Sequence, residues 1–147
     1  MSHLAVIQTT TSAYHLVKEI NGKYFEIEKI KNLSDALSLH MADFRKVYDA
    51  AGSTEVKGKL VAPVAIDTEV WGAGVTYQRS RDARKEESGI PDVYQLVYEA
   101  DRPELFFKAT ARRTVGHDGE VGIRADAQTS VPEPEVAIVM NKFGELI

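Results

Sequence analysis

The chain has 147 residues, 44% of them hydrophobic, with no cysteine and a formal net charge of -4. That is enough chain for one domain, or one small domain plus part of another, with a buried core. The acidic balance and scattered basic residues give no electrostatic footprint for nucleic acid, the lack of cysteine excludes disulfides, thiolate metal sites and a Cys nucleophile, and no window approaches the length of a membrane span.

The N-terminus, Met1-Ser2-His3-Leu4, has no charged region followed by an apolar run. The expected location is therefore the cytoplasm, with neither a membrane nor a nucleic acid as partner. Leu4-Ala5-Val6-Ile7 reads as a short strand ending in Thr9-Thr10-Thr11-Ser12. The Asn21-Gly22 pair supplies the positive φ angles of a tight turn, so His15 to Ile20 and Lys23 to Glu28 are expected as a hairpin. His3 and His15 have no acidic neighbours at useful spacing and read as surface or turn histidines.

From Ser34 to Ala51 the period changes, with Leu33, Leu37, Met41, Phe44, Val47, Tyr48 and Ala51 at helical spacing. This predicts one amphipathic helix about 27 Å long, capped by Ser34 or Asn32 and stopped by Gly52. His40 lies beside the apolar stripe and reads as a core-edge residue. The small, polar stretch from Gly52 to Gly58 is the expected linker, which places a boundary between a region 1–58 and a region 59–147.

Leu60-Val61-Ala62-Pro63-Val64 leads into Glu69-Val70-Trp71-Gly72-Ala73-Gly74-Val75-Thr76-Tyr77, a β-prone run in which two glycines point to close approach of backbone or ligand, or to a bulge. Ser80 to Ser88 combines strong helix formers with almost nothing apolar, so it is expected as an exposed short helix, either a solvated face or a lid. Pro91-Asp92 starts a second helix through Val93, Leu96, Val97 and Ala100. Pro103 to Thr110 reads as a buried strand, with Phe106 and Lys108 on one face and Phe107 on the other. His117-Asp118-Gly119-Glu120 reads as a turn, with no role for His117.

Val131-Pro132-Glu133-Pro134-Glu135-Val136-Ala137-Ile138-Val139-Met140 is expected as a strand, entered at its edge because Pro132 and Pro134 lack the amide donor. In an extended segment Glu133 and Glu135 share one face, with Cα atoms about 6 to 7 Å apart. Their repulsion, roughly 3 kcal/mol at an effective dielectric near 20, calls for a cation. Two hard carboxylates suit Mg²⁺, Mn²⁺ or Ca²⁺, whereas the plain reading is a solvated acidic strand entrance. Asn141-Lys142-Phe143-Gly144 is a further turn.

Taken together, Gly74-Val75-Thr76-Tyr77, Phe106-Phe107-Lys108 and Glu133-Pro134-Glu135-Val136-Ala137-Ile138-Val139 resemble the fumarylacetoacetate hydrolase superfamily in order and spacing, over roughly Pro63 to Ile147. The resemblance implies an α+β fold: a small N-terminal α/β region, then the first part of a β-rich catalytic domain, a mixed sandwich or roll, incomplete at its C-terminus. It makes Glu133 and Glu135 two of three carboxylate ligands to Mg²⁺, with Mn²⁺ or Ca²⁺ as alternatives. The third would lie past Ile147, so the chain is expected to be the front part of a longer protein.

Hydrolases of the family carry a water-activating His and Glu on the lid, where this chain has Ser80 and Ala83. The sequence is more similar to the branch that dehydrates 2-keto-3-deoxy sugar acids. By that resemblance Glu86 or Glu87 is the lid acid or base and Lys108 a catalytic contact, while Tyr77, Ser80, Arg81 and Arg84 bind a small-molecule substrate. The alternatives are hydrolysis of a C–C bond in a 1,3-dicarbonyl, acylpyruvate-like substrate, or a fragment that does not act alone. A homodimer is the assembly the family implies, although no stretch of the sequence compels an interface.

Overall fold

The computed structural model describes residues 2–65, 68–88 and 91–147. The chain forms two compact units, one of Met1–Ala65 with Thr114–Ile147 and one of Ile66–Arg113. The elements are α+β.

In the first unit, β1 (Ser2–Gln8), β2 (Tyr14–Ile20), β3 (Lys23–Glu26), β4 (Glu55–Val56) and β5 (Lys59–Leu60) make an antiparallel sheet in the order β4-β3-β2-β1-β5. The expected hairpin is present: Ile20 pairs with Lys23 across a two-residue loop with φ of 52° at Asn21 and 79° at Gly22. That left-handed pair matches the right-handed twist of the flanking strands. The turn-rich stretch after Gly52 carries β4, which closes onto β3 through Tyr24 and Phe25.

The single helix expected from Ser34 to Ala51 is instead two, α1 (Leu33–Leu37) and α2 (Met41–Ala50). The cause is local. The Ser38 hydroxyl donates to Ser34 O at 2.9 Å, and His40 takes an extended conformation with ψ of 147°. Asn32 caps α1, accepting from the Asp35 amide at 2.9 Å, while the Lys31 amide donates to the Asp35 carboxylate at 3.1 Å. The apolar stripe survives the break because both helices pack on one core. Leu16, Ile27, Ile30, Leu33, Ala36 and Phe44 are buried there, with Leu37, Met41, Val47 and Tyr48 against them.

Residues 131–139 form no strand, contrary to expectation; Met140 makes an isolated bridge to Leu146. A strand needs a neighbour to satisfy its backbone, and Pro132 and Pro134 remove two donors from this one. The turn at His117-Asp118 is as expected, closed by Gly119 N donating to Gly116 O at 3.0 Å.

In the second unit, β6 (Glu69–Ala73) pairs antiparallel with β7 (Leu105–Thr110). After β6 come α3 (Gln78–Glu87) and α4 (Pro91–Glu99). β7 was expected to be buried, yet Phe106 is 45% and Phe107 50% exposed. A two-stranded ribbon has no second layer with which to cover both faces. Its aromatic residues cover the ribbon itself: the Phe107 ring meets Trp71 edge-on at 6.1 Å, and Phe106 lies over Gly72, where a Cβ would sit 2.4 Å from the ring. Close approach of a side chain is therefore the reason for that glycine. No helix among the described residues is long and apolar enough to cross a membrane.

Candidate active site

The Gly74-Val75-Thr76-Tyr77 motif is the turn between β6 and α3. Gly74 N donates to Glu104 O at 2.8 Å, tying the turn to the start of β7. Val75 has φ of 50°, a left-handed conformation that a β-branched residue rarely takes and that costs on the order of 1–3 kcal/mol. Strained backbone therefore lies inside the motif. Tyr77 follows as the N-cap of α3, with extended backbone and no side-chain cap bond.

Along α3, Ser80, Arg81, Arg84, Lys85 and Ser88 are half-buried, whereas Asp82, Ala83 and Glu86 are exposed. Helical spacing explains the division, since 81, 84, 85 and 88 fall on one face and 82 and 86 on the other. The Arg81 side chain is only 17% exposed. Its Nη2 lies 2.6 Å from Asp82 Oδ1, its Nε donates to the same oxygen at 2.7 Å, and its guanidinium carbon lies 4.8 Å from the centre of the Tyr98 ring on α4. Lys85 Nζ donates to Gln95 Oε1 at 3.3 Å, and Gln95 Nε2 donates to Glu99 Oε1. A polar clasp thus joins α3 to α4 where α3 has nothing apolar to offer.

The second helix expected from Pro91 is present as α4. Val93 and Leu96 are exposed, and Gln95 and Tyr98 make the contacts to α3. Sequence reading passed over these two because it weighted aliphatic residues. An aromatic residue and an amide set at i and i+3 opposite a basic helix were the available signal.

Lys108 is on β7 at an irregular point. Val70 pairs with Ala109 and Trp71 with Phe107, so Lys108 is the extra residue of a bulge. Bulges re-aim a side chain out of the regular alternation. Simple alternation with Phe106 therefore does not describe the strand at this residue. Glu86 is exposed on α3, and Glu87 is the last residue of that helix, its side chain lying outside the described residues.

Tyr77, Ser80, Arg81, Arg84, Glu86, Glu87 and Lys108 all belong to the Ile66–Arg113 unit, and Glu133 and Glu135 to the other. Both glutamates are exposed. Their donor chemistry, hard carboxylate oxygens two residues apart in sequence, fits Mg²⁺, Mn²⁺ or Ca²⁺. Among the described residues no group of three or more His, Cys, Asp or Glu side chains converges as a metal cage.

No protein-family profile matches the chain. Over 87 residues it is 54% identical to a probable 2-keto-3-deoxyxylonate dehydratase of Haloferax volcanii, an alignment covering 58% of this chain and 30% of that protein. Over 83 residues it is 41% identical to a 2-dehydro-3-deoxy-D-arabinonate dehydratase of Saccharolobus solfataricus, covering 54% of this chain and 28% of the other. A hexagonal crystal form of 2-keto-3-deoxyarabinonate dehydratase superposes with a TM-score of 0.69 at 26% identity, over 99% of this chain and 54% of that one. The chain spans under a third of the length of these curated relatives. They bear out the resemblance carried by the three motifs: the chain is similar to dehydratases of 2-keto-3-deoxy sugar acids.

Proposed function

We propose, from that similarity, that the protein carries part or all of a divalent-metal-dependent dehydratase acting on 2-keto-3-deoxy sugar acids. The 54% identity to a probable 2-keto-3-deoxyxylonate dehydratase is the observation that carries this reading. Ser80 and Ala83 on α3 support it, because elimination of water needs no attacking water and so no His–Glu pair on the helix. The acylpyruvate hydrolase alternative lacks that support.

Glu133 and Glu135 are the proposed ligands for Mg²⁺, with Mn²⁺ or Ca²⁺ as substitutes. When bound, such an ion supplies Lewis-acid polarisation of the substrate's 2-keto and carboxylate oxygens. The chain's own residues do the rest. A lid carboxylate takes the C3 proton, the C4 hydroxyl leaves as water after gaining a proton, and a C3=C4 double bond remains. Glu86 and Arg84 are two residues apart, about 200° round α3, and so lie on opposite sides of it. Glu86 and Glu87 both stand as the proposed lid acid or base. Arg84 and Lys108, with Tyr77, Ser80 and Arg81, are the proposed substrate contacts. Arg81 is also engaged by Asp82 and Tyr98, so beside its proposed contact with substrate it holds α3 in place.

Cytoplasmic residence and a homodimer complete the reading; a chain without cysteine suits a reducing compartment. Replacing Glu87 or Glu86 by Gln tests the lid. Glu87→Gln or Glu86→Gln is expected to lose turnover while Mg²⁺ binding persists, and unchanged rates for both variants would remove the lid acids from the mechanism.

A further inference from the structure

The acidic pair lies six residues before a turn with far more hydrogen bonds than a turn needs. Asn141 is 6% exposed, the buried polar residue among those described. Its side-chain Nδ2 donates to Leu39 O at 2.9 Å and to Glu145 Oε2 at 2.6 Å. Its Oδ1 accepts from the amides of Phe143 and Glu145, both at 2.9 Å. All four hydrogen-bonding positions of the amide are therefore used. Gly144 N already closes the turn by donating to Asn141 O at 3.0 Å.

The surplus bonds go to the joint between α1 and α2. Breaking a helix orphans carbonyls on one side and amides on the other. Here Lys142 N donates to Leu37 O at 3.0 Å, Asn141 Nδ2 serves Leu39 O, and Met41 N donates to Glu145 Oε2 at 2.8 Å. His40, in the joint itself, stacks on Phe143 with ring centroids 3.5 Å apart and planes 13° from parallel, and its Nδ1 lies 3.4 Å from Glu145 Oε2. On the other side of the turn, Ile147 N donates to Val139 O at 3.0 Å and Met140 bridges to Leu146, which holds the end of the acidic segment.

We propose that the Asn141–Glu145 turn is a positioning element for the Glu133–Glu135 pair, clasping the α1–α2 joint so that the segment carrying both carboxylates is delivered from a fixed point. The idea rests on the reading of that pair as cation ligands. It makes Asn141 and Glu145 positioning residues: neither touches the cation, and both act through the backbone of residues 135–140. Six residues span at most about 20 Å of extended chain, so a fixed Asn141 limits where Glu135 can sit.

Amide hydrogen exchange and MnCl₂ titration, followed by paramagnetic broadening of the amides of Glu133, Glu135 and Val136, test it in the full 147-residue chain. The variants are Asn141→Ala, Glu145→Ala and Glu145→Gln. Asn141→Ala and Glu145→Ala are expected to speed exchange at Met41 about tenfold and to raise the Mn²⁺ concentration for half-broadening by a similar factor, the size one lost hydrogen bond carries. Glu145→Gln keeps an acceptor for the Met41 amide and is expected to restore both. Should Asn141→Ala fail to fold, the Glu145 pair decides alone. Equal Mn²⁺ responses in wild type and Glu145→Ala would overturn the positioning role while leaving the ligands in place. A wild-type chain with no broadening at residues 133–136 would overturn the ligand reading, and the positioning role with it.

Discussion

The amide of Met41 donates to the carboxylate of Glu145 at 2.8 Å, across 104 positions of sequence. α2 has no side-chain cap of its own, since His40 at its N-cap makes none, and the far end of the chain supplies it. An acid at a helix N-terminus satisfies an orphan amide and meets the positive end of the dipole. The same contact holds the start of α2 just past the break that divides residues 33–50 into two helices.

This arrangement predicts an acid-sensitive fold. Hydrogen bonds from Asn141 and then from the Met41 amide hold Glu145 below its ordinary value of 4.5, against the opposing effect of burial and with help from His40. A folded value below the unfolded one means that the contribution is complete above about 4.5 and is lost as pH falls through the folded value. Denaturation midpoints measured from pH 6 to pH 3 should show wild type losing more stability than Glu145→Gln, which has no carboxylate to protonate. Parallel curves would remove Glu145 from the acid response.

Asn32 caps α1 with its side chain, and α1 is only five residues long. So short a helix depends on its cap and its packing more than on propensity. Asn32→Ala should cost about 1 kcal/mol in urea unfolding, and Asn32→Asp should retain most of it. Equal midpoints for Asn32→Ala and wild type would contradict the cap.

Tyr98 holds Arg81 by its ring face and not by its hydroxyl. Tyr98→Phe should therefore leave amide exchange along α3 near wild type, while Tyr98→Leu should speed it in keeping with a loss of about 0.5–1 kcal/mol. Equal effects of the two would show that the hydroxyl or simple bulk matters instead.

The hairpin at Asn21-Gly22 was legible because two adjacent residues set the backbone and flanking alternation did the rest. The break at Ser38 to His40 was not, because its cause lies in Asn141 and Glu145, a hundred positions away. Propensity reads neighbours, and tertiary contacts decide. The strand expected at Glu133 failed for a related reason, since alternation states what a segment can pair with but not that a partner is there. Within the site, the motif spacing led to the resemblance that the relatives bear out, whereas the bulge at Lys108 and the clasp of Tyr98 on Arg81 arise from contacts between elements. A one-residue slip in register and a cross-helix contact leave little trace in a single sequence.

The central claim is that this chain serves elimination of water from a sugar acid and not hydrolysis of a C–C bond. The direct measurement supplies the protein with Mg²⁺ and, in parallel, a 2-keto-3-deoxypentonate and an acylpyruvate, and identifies the products by mass spectrometry. The account predicts loss of water from the sugar acid, abolished by chelation and by Glu133→Gln, with the acylpyruvate intact. Cleavage of the acylpyruvate with no dehydration of the sugar acid would contradict it.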